Sequence, residues 1–313
     1  MSDDITLRPM EPSDIAEAER VFRLAFGTWF GVPDPMQFRG DAMLFAPRLW
    51  SYPDGGTLAC RDGRIVALCF ASNWGSFAVL GPVAVLPDYW RHGVARRVAA
   101  ATLDLFARWH APLAGLFTFP QSPLHLRLYQ SFDFWPRALC PVMGKEVSAH
   151  EPVAGAILLA TSRDRASLAA QCRELAGSLY PGLDLGREIA VVLEHGLGDV
   201  IALTEDSRVA GFAICHAGAG SEAGTQLVYV KFAMARPGAG AGERLARLVG
   251  ACEAFAAARG VRKITAGVST GRIGAYRLLS ELGFRIELPG IQMHRPWGPG
   301  WDGPDDWVLD DWR

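Results

Sequence analysis

The segment from Gly81 to Trp109, GPVAVLPDYWRHGVARRVAAATLDLFARW, decides how this chain folds. It begins as an apolar strand, continues as a short basic loop around Gly93, and ends as an amphipathic helix. The first turn of a helix leaves backbone N–H groups unpaired and carries a partial positive charge. The small residues Gly93 and Ala95 allow a phosphate to approach these groups closely. The segment therefore predicts a pyrophosphate cradle between a strand and a helix.

The composition predicts a globular protein with a large core and more than one domain. The chain has 313 residues, of which 50% are hydrophobic and 20% are charged, and this length suits two domains better than one. A formal net charge of −2 gives no general attraction to nucleic acid or to an anionic membrane. No apolar run approaches the roughly 20 residues that span a bilayer. We therefore expect neither nucleic acid nor a membrane as a partner.

The N-terminal sequence and the cysteines indicate a reducing compartment. The opening sequence, MSDDITLRPMEPSD, is acidic and polar, whereas a secretory signal would be basic and then apolar. The 6 cysteines are scattered in apolar contexts without a CxxC pair. This usage is typical of buried free thiols, and not of a disulfide framework or a zinc site. We expect a cytoplasmic protein without a bound metal.

The order of the predicted elements repeats along the chain. Each half contains a strand, a helix, a hairpin, a long strand, a glycine loop, a helix, a strand, a second helix and a closing strand. Gly93 and Gly240 lie 147 positions apart, and Phe134 and Phe284 lie 150 apart, so two landmarks give nearly the same offset. The repeat predicts an α/β fold with mixed sheets in two tandem domains, residues 1–147 and 155–296, with a polar linker at 148–152.

The sequence also predicts how each half ends and which face of one helix is buried. We expect the first half to close with its own strand near 140–147 and the second with GIQMHRP, residues 290–296. The helix after Gly240 should bury one apolar face. The residues at this helical spacing are Leu245, Leu248, Val249, Cys252 and Ala256. The tail, residues 297–313, holds four tryptophans among glycines, prolines and aspartates, and should pack along a domain surface.

This order of elements resembles the GNAT superfamily of N-acetyltransferases, present twice in one chain. The pyrophosphate loop of that superfamily, Arg/Gln-x-x-Gly-x-Gly/Ala, is similar to residues 90–95, WRHGVA. Its later motif, Leu-Tyr-x-x-x-Gly-Phe, is similar to residues 128–134, LYQSFDF. The chain departs from these patterns at three positions. Trp90 replaces Arg or Gln, Asp133 replaces Gly, and Ser122 stands where an Asn often contacts the pantetheine arm.

The resemblance implies an enzyme that uses acetyl-CoA, bound by the first half. The pantetheine arm would pair with the strand before the glycine loop, and the pyrophosphate would bind the loop itself. The residues implied in cofactor binding are Pro82, Val83, Ala84, Val85, Arg91, His92, Gly93, Val94, Ala95, Arg96 and Ser122. The simpler alternative is a glycine that only permits a tight strand-to-helix turn.

The resemblance also implies Tyr129 as the general acid that protonates the CoA thiolate, with core packing as the alternative. The strand at 77–87 contains no acidic residue, so no general base is apparent there. His125, one turn before Tyr129, is a candidate catalytic base. The alternative is a histidine of the cradle or of the surface, with an ordered water as the base. Trp29, Phe30 and Phe38 follow the first helix, where the family shapes its acceptor pocket, although core packing explains them equally well.

The second half keeps a glycine loop but not the acid. A possible second cofactor site comprises Gly238, Gly240 and Gly242. No basic residue lies between Pro237 and the end of this loop. Leu279 stands at the position of Tyr129, and Tyr276 lies one turn earlier. The second half is therefore expected to complete the acceptor site of the first, and catalysis through Tyr276 is the alternative.

The expected reaction transfers an acetyl group from acetyl-CoA to the amine of a small-molecule or peptide acceptor. The rival hypothesis is a non-catalytic protein of the same fold that binds acyl-CoA or acts as a regulator. The sequence does not separate the possible acceptors, nor acetyl from larger acyl groups. Monomer and homodimer both stay open, because the duplication can replace the pairing that single-domain relatives achieve by dimerising.

Overall fold

Two mixed β-sheets form the centre of the computed structural model, which describes residues 4–147 and 151–313. The strands of the first half are β1 (Thr6–Pro9), β2 (Gly56–Arg61), β3 (Arg64–Trp74), β4 (Phe77–Val85), β5 (Leu113–Thr118), β6 (Trp135–Leu139) and β7 (Val142–Glu146). Its helices are α1 (Ile15–Trp29), α2 (Phe45–Ser51), α3 (Val94–Arg108) and α4 (Pro123–Gln130).

The second half repeats this plan and adds a strand at its end. Its strands are β8 (Ala156–Leu158), β9 (Gly198–Glu205), β10 (Arg208–Gly218), β11 (Gly224–Ala235), β12 (Lys263–Gly267), β13 (Arg285–Leu288), β14 (Ile291–Arg295) and β15 (Val308–Asp310). Its helices are α5 (Arg165–Leu179), α6 (Gly186–Glu194), α7 (Ala241–Ala258) and α8 (Ile273–Glu281). The fold class inferred from the repeat, tandem α/β domains with mixed sheets, is confirmed.

The two sheets exchange one strand. The first sheet has the order β1-β2-β3-β4-β5-β14-β6, so it contains β14 from the second half. The second sheet has the order β13-β7-β12-β11-β10-β9-β8, so it contains β7 from the first half. The closing strands were expected in the sheet of their own half. The structure therefore corrects that expectation, and neither sheet coincides with the sequence ranges 1–147 and 155–296.

The exchange of β7 and β14 occurs where the segments that lead into these two strands cross. The Cys140 N–H donates a hydrogen bond to the Gly290 carbonyl at 2.8 Å, and the Thr270 N–H donates to the Leu139 carbonyl at 2.8 Å. A side chain at Gly290 would collide with the Phe117 ring, which an added Cβ would approach to 2.0 Å. The crossing thus requires a residue without a side chain at position 290.

The helices bury the faces that their periodicity predicts. In α1 the buried apolar positions Ala18, Val21, Phe22 and Ala25 follow the i, i+3, i+4, i+7 spacing. In α7 all the positions from Leu245 to Ala256 named above are buried, as expected. The 6 cysteines are buried and free, which agrees with the prediction from their contexts. In the described ranges no helix has the length and apolarity needed to cross a membrane.

Some elements lie outside the sequence prediction. The short helices α2 and α6 and the edge strands β6 and β13 had not been expected. The tail was expected to lie on a surface, whereas its residues 308–310 form a buried strand, β15, within the second sheet. Of the predicted linker, residues 148–150 lie outside the described residues.

Candidate functional site

A V-shaped cleft opens in the first sheet between β4 and β5. These parallel strands pair only at their beginnings, where Phe77 lies opposite Leu113 and Val79 opposite Gly115. No pairing continues beyond Val79, so the following part of β4 has one edge without a strand partner in the described structure. An edge of this kind presents backbone N–H and C=O groups to whatever occupies the cleft.

The open edge is formed by alternate residues of β4. The Leu86 N–H donates to the Val66 carbonyl, and Ala84 pairs with Leu68, so Ala84 and Leu86 direct their backbone groups toward β3. Since backbone groups alternate along a strand, Val83 and Val85 face the cleft. Pro82 has no N–H to offer. Of the predicted strand residues, Val83 and Val85 are therefore the ones with groups available to a ligand.

Trp90 contacts this open edge directly. Its indole Nε1–H donates to the Val85 carbonyl at 2.7 Å. The bond fixes the loop before α3 against the end of β4 and uses the outermost acceptor of the edge. This contact gives a structural role to a residue that departs from the family pattern, and the sequence had not predicted it.

The glycine loop has the backbone shape of an anion cradle. Arg91 (φ 63°) and Gly93 (φ 75°) both adopt left-handed conformations, and Gly93 is the residue immediately before α3. An added Cβ at Gly93 would meet no atom within 4 Å, so the space beside the loop is open. Val94 is buried and anchors the first turn, while Ala95 is only half-buried. Successive amides in such a loop converge on one point, where an anion can bind.

The basic side chains around the cradle differ in their contacts. Arg91 and His92 are exposed beside Gly93. Arg96 instead donates to the Ser131 hydroxyl at 2.5 Å and stacks 5.1 Å from the Phe132 ring centre. Arg96 therefore ties α3 to the end of α4 and adds positive charge beside the cradle without pointing into it.

Tyr129 lies on α4 and packs against the same side of the sheet as α3. It is 8% exposed, and its hydroxyl has no hydrogen-bond partner within the described ranges. Burial, with a smaller effect of the Cys69 thiol, raises the pKa of Tyr129 well above its ordinary value. Cys69 lies directly opposite Val83 in the β3–β4 pair. The phenol is thus protonated near the open edge, and the same burial makes it a weaker acid than a free tyrosine.

His125 belongs to an aromatic cluster at the other wall of the cleft. Its ring centre lies 5.3 Å from that of Trp29 and 5.9 Å from that of Phe119. Phe30 and Phe38 stack at 5.4 Å in the same cluster. Burial lowers the pKa of His125, so its imidazole is neutral at neutral pH. The cluster unites the predicted acceptor residues with Phe119, which directly follows β5.

Ser122 begins α4. Its hydroxyl accepts a hydrogen bond from the His125 N–H at 3.4 Å, which is the contact of an N-cap residue. It is only 8% exposed. The structure thus gives Ser122 a capping role at the position where the family resemblance implies a contact with pantetheine.

One arginine holds the loop that carries Phe38. Arg23 of α1 donates to the carbonyls of Phe38, Gly40 and Ala42, each at 2.6 Å. These charge-assisted bonds satisfy three carbonyls of an irregular segment at once. The loop is therefore a fixed wall of the cleft, and a single buried side chain from the adjacent helix determines its shape.

The equivalent cleft of the second sheet is filled by the chain itself. β11 and β12 pair in parallel from Val228 to Val230, and beyond that point β15 pairs with β11 in antiparallel fashion. Because the Arg236 N–H donates to the Ala210 carbonyl, Ala233 and Ala235 face the cleft, like Val83 and Val85 in the first sheet. Ala233 lies opposite Leu309 of β15.

Trp307 covers the second glycine loop as well. Gly240 precedes α7 with a φ of 77° and thus repeats the geometry of Gly93. An added Cβ at Gly242 would lie 2.8 Å from the Trp307 ring, and one at Gly274 would lie 2.9 Å from it. The indole is therefore seated between α7 and α8. An open groove of about 410 Å³ remains beside it, with Arg277 and Leu278 in its wall.

The two halves thus differ at the sites that the sequence predicted. The first glycine loop lies beside an unpaired strand edge, with Tyr129 and His125 near the cleft. The loop at Gly238, Gly240 and Gly242 lies beside an edge that β15 already pairs. The only sequence signal for β15 was the short apolar run Trp307–Leu309, which is too brief to identify a strand. In the described ranges, no three His, Cys, Asp or Glu side chains converge to form a metal site.

Known proteins share the fold, and one family model matches part of the first half. Residues 19–134 match the family model of the Acetyltransferase (GNAT) family. A crystal structure from Pyrococcus horikoshii, provisionally described as an acetyltransferase, superposes with a TM-score of 0.73 at 15% identity and covers 100% of this chain and 96% of that chain. A GCN5-related N-acetyltransferase from Sphaerobacter thermophilus has a TM-score of 0.63 at 18% identity, covering 96% and 98%.

A two-domain relative shares the whole architecture. The tandem GNAT protein from the clavulanic acid biosynthesis pathway has a TM-score of 0.59 at 14% identity, covering 95% of this chain and 99% of that chain. A search of curated proteins finds no match to this sequence. At these identities the solved structures establish the fold, and the family match adds support for acyl transfer as the class of chemistry.

Proposed function

We propose that this chain, a tandem GNAT protein whose residues 19–134 match the acetyltransferase family, transfers an acetyl group from acetyl-CoA to an amine in its first domain. The observation that carries the proposal is the contrast between the two clefts. The Val83–Val85 edge is unpaired beside an exposed cradle, whereas β15 pairs the equivalent edge of the second sheet. We therefore assign one cofactor site to each chain.

The residues of the first cleft fit this cosubstrate. The amides of the loop from Arg91 to Arg96 would hold the pyrophosphate, and the open space at Gly93 leaves room for it. The backbone groups of Val83 and the Val85 N–H would pair with the pantetheine amides, as an added strand pairs with an edge, while the Val85 carbonyl keeps its bond to Trp90. When bound, acetyl-CoA supplies an activated thioester.

The protein would stabilise charge and move protons during transfer. The Val83 N–H faces the cleft and would stabilise negative charge that develops on the thioester oxygen. Tyr129, held protonated by burial, would donate its hydroxyl proton to the departing CoA sulfur. His125, held neutral by burial, would accept the proton that the attacking amine loses. The aromatic cluster around Phe119 would exclude water from this step.

The acceptor is an amine, of a small molecule or of a peptide, that reaches the cleft past Trp29 and Phe38. The fixed loop held by Arg23 and the aromatic wall favour a substrate with an apolar portion next to its amine. A protein of this fold that binds acyl-CoA without turnover is the rival function. The two are separated by the release of CoA in the presence of amines.

Calorimetric titration with acetyl-CoA tests the proposal, with two matched glycine variants. Gly93 and Gly240 share a left-handed conformation, so Gly93→Glu and Gly240→Glu carry similar backbone strain, on the order of 1–3 kcal/mol. We expect about one site per chain. Gly93→Glu should weaken binding at least about tenfold, roughly 1.4 kcal/mol, and Gly240→Glu should leave it unchanged.

The other outcomes are equally informative. Two sites per chain would mean that β15 yields to the cofactor. Loss of binding in Gly240→Glu alone would move the site to the second domain. Binding without CoA release across a panel of amines would support the non-catalytic rival. Absence of binding would overturn the acetyltransferase proposal.

A further inference from the structure

The β10–β11 hairpin of the second domain lies against the loop of the first domain that carries Phe38. This loop is called the cleft loop. The Met43 N–H donates to the Ser221 carbonyl at 2.9 Å, just before β11 begins. At the next residue of the turn, Arg39 donates to the Glu222 carbonyl at 2.6 Å. The segment that carries Phe38 is therefore fixed from two sides, by Arg23 within its own domain and by this hairpin.

Glu222 is also the central acid of a buried charge network. It is 1% exposed, and its carboxylate accepts from Arg48 at 3.0 Å and from Lys231 at 2.6 Å. Lys231 in turn contacts Glu188 at 2.9 Å. Although burial acts in the opposite direction, Arg48 and Lys231 hold the pKa of Glu222 well below its ordinary value. Glu222 is thus charged, and it satisfies one cation from each domain.

Arg48 connects this network to the cleft strand. Its second guanidinium nitrogen donates to the Gly81 carbonyl at 2.8 Å. Leu80 pairs with Ala71 and Val83 with Cys69, so Gly81 and Pro82 lie together opposite a single residue of β3. β4 therefore bulges at Gly81, and such a bulge changes the direction of the groups that follow it.

The same kind of irregularity occurs in the second domain. Phe232 pairs with Ile214 and Val230 with Cys215, so Lys231 is the extra residue of a bulge in β11. Glu222 accepts from the side chain at this bulge and from the arginine that fixes the other bulge. The Glu222 carboxylate thus connects the bulge of β4 with the bulge of β11.

We infer that Glu222, a residue of the second domain, is a positioning residue for the reaction in the first. It orients Arg48, which holds Gly81 and so sets the direction of the Val83 N–H, and its carbonyl holds the cleft loop through Arg39. The inference rests on the proposed function. It gives the second domain a part in the reaction, although β15 pairs the equivalent strand edge of that domain.

The test compares Glu222→Gln with Glu253→Gln. Glu253 is an equally buried acid of the second domain, on α7, and it accepts from Lys145 of β7 at 2.8 Å. Acetyl transfer to the best amine of the panel and acetyl-CoA affinity are measured for both variants. We expect Glu222→Gln to lower kcat about tenfold to a hundredfold, as misplaced catalytic groups do, with the Kd for acetyl-CoA within about threefold of wild type. Glu253→Gln should keep kcat.

A second variant covers the case in which Glu222→Gln does not fold. Glu222→Asp keeps the charge but shortens the side chain, so it should fold and still lower kcat relative to Glu253→Gln. In a double variant with Arg48→Lys, the loss of kcat should not exceed that of the larger single change, because both act through one contact.

Equal kcat in the Glu222 and Glu253 variants, with active wild-type protein, would overturn this inference alone. Wild-type protein that releases no CoA with any amine would overturn the proposed function first, and this inference with it. The two failures are therefore distinguished by the wild-type measurement.

Discussion

The Ala235 N–H donates a hydrogen bond to the Trp307 carbonyl at 3.0 Å. Ala235 occupies in the second sheet the position that Val85 occupies in the first, where the indole of Trp90 contacts the strand. The chain therefore closes one of its two equivalent edges with its own tail and leaves the other available. The two domains thus differ at this edge although Gly93 and Gly240, which immediately precede the helices after the two loops, have nearly the same backbone conformation.

Gly242→Ala should destabilise the protein by about 1–2 kcal/mol, because the new methyl group would overlap the Trp307 ring. The free energy of unfolding in urea measures the effect. In a Trp307→Leu background the same change should have little effect, since the overlapping ring is gone. Additive losses in the double variant would show that Trp307 does not rest on Gly242. The first domain has an alanine, Ala95, at the equivalent position.

Tyr129→Phe should lower kcat by about 10² to 10⁴ and leave stability nearly unchanged. The hydroxyl forms no hydrogen bond in the described ranges, so its removal leaves no buried group unsatisfied. Initial rates of CoA release and thermal unfolding provide the two measurements. Tyr276→Phe, in the second domain, serves as the matched control and should keep wild-type rates. Equal rates in the two variants would remove Tyr129 from the mechanism.

On the acidic side of the pH profile, kcat should follow the protonation of His125. Burial lowers the pKa of this histidine, so the neutral base persists below pH 6.5 and the rate should fall only at more acidic pH. His125→Gln should lower the rate and abolish this acidic limb. The raised pKa of Tyr129 predicts no loss of rate up to about pH 10. An unchanged acidic limb in His125→Gln would assign the titration to another group.

His216 should make the protein less stable in mild acid. Burial lowers its pKa from about 6.5 to about 4, although Glu222 opposes the shift. The unfolded chain therefore binds a proton that the folded state excludes, and stability falls as the pH drops from 6.5 toward 4. Between pH 7 and pH 5.5 the loss from this residue is about 1 kcal/mol.

Urea midpoints at the two pH values measure this loss, and His216→Gln is the comparison. Glutamine can still accept the bond that His216 receives from the Glu222 N–H at 3.4 Å. The variant should lose less stability on acidification than the wild-type protein. His125 and His294, whose pKa values burial also lowers, contribute in the same direction and remain in both proteins. Identical acid sensitivity would contradict the assignment to His216.

The sequence by itself determined the repeated order of the longer elements and the local shape of the loop before α3. Helical periodicity, the turn at Asp62–Gly63 and the loop before α3 act over a few residues, so the chain segment alone specifies them. The motifs WRHGVA and LYQSFDF carried the family resemblance from which the cradle and the role of Tyr129 are proposed. The sequence also indicated the duplication, because Gly93 and Gly240 are separated by nearly the same number of residues as Phe134 and Phe284.

Only the tertiary structure decided which segments pair across the molecule. β7 and β14 occupy equivalent places in the repeat, so their local sequences do not specify which sheet receives them, and the crossing at Cys140 and Gly290 does. Local sequence also did not predict β15. Its three residues become a strand only because β11 offers an unpaired edge. The contact of Glu222 with Arg48 joins residues 174 positions apart. Long-range pairing of this kind depends on the assembled fold, which no local pattern contains.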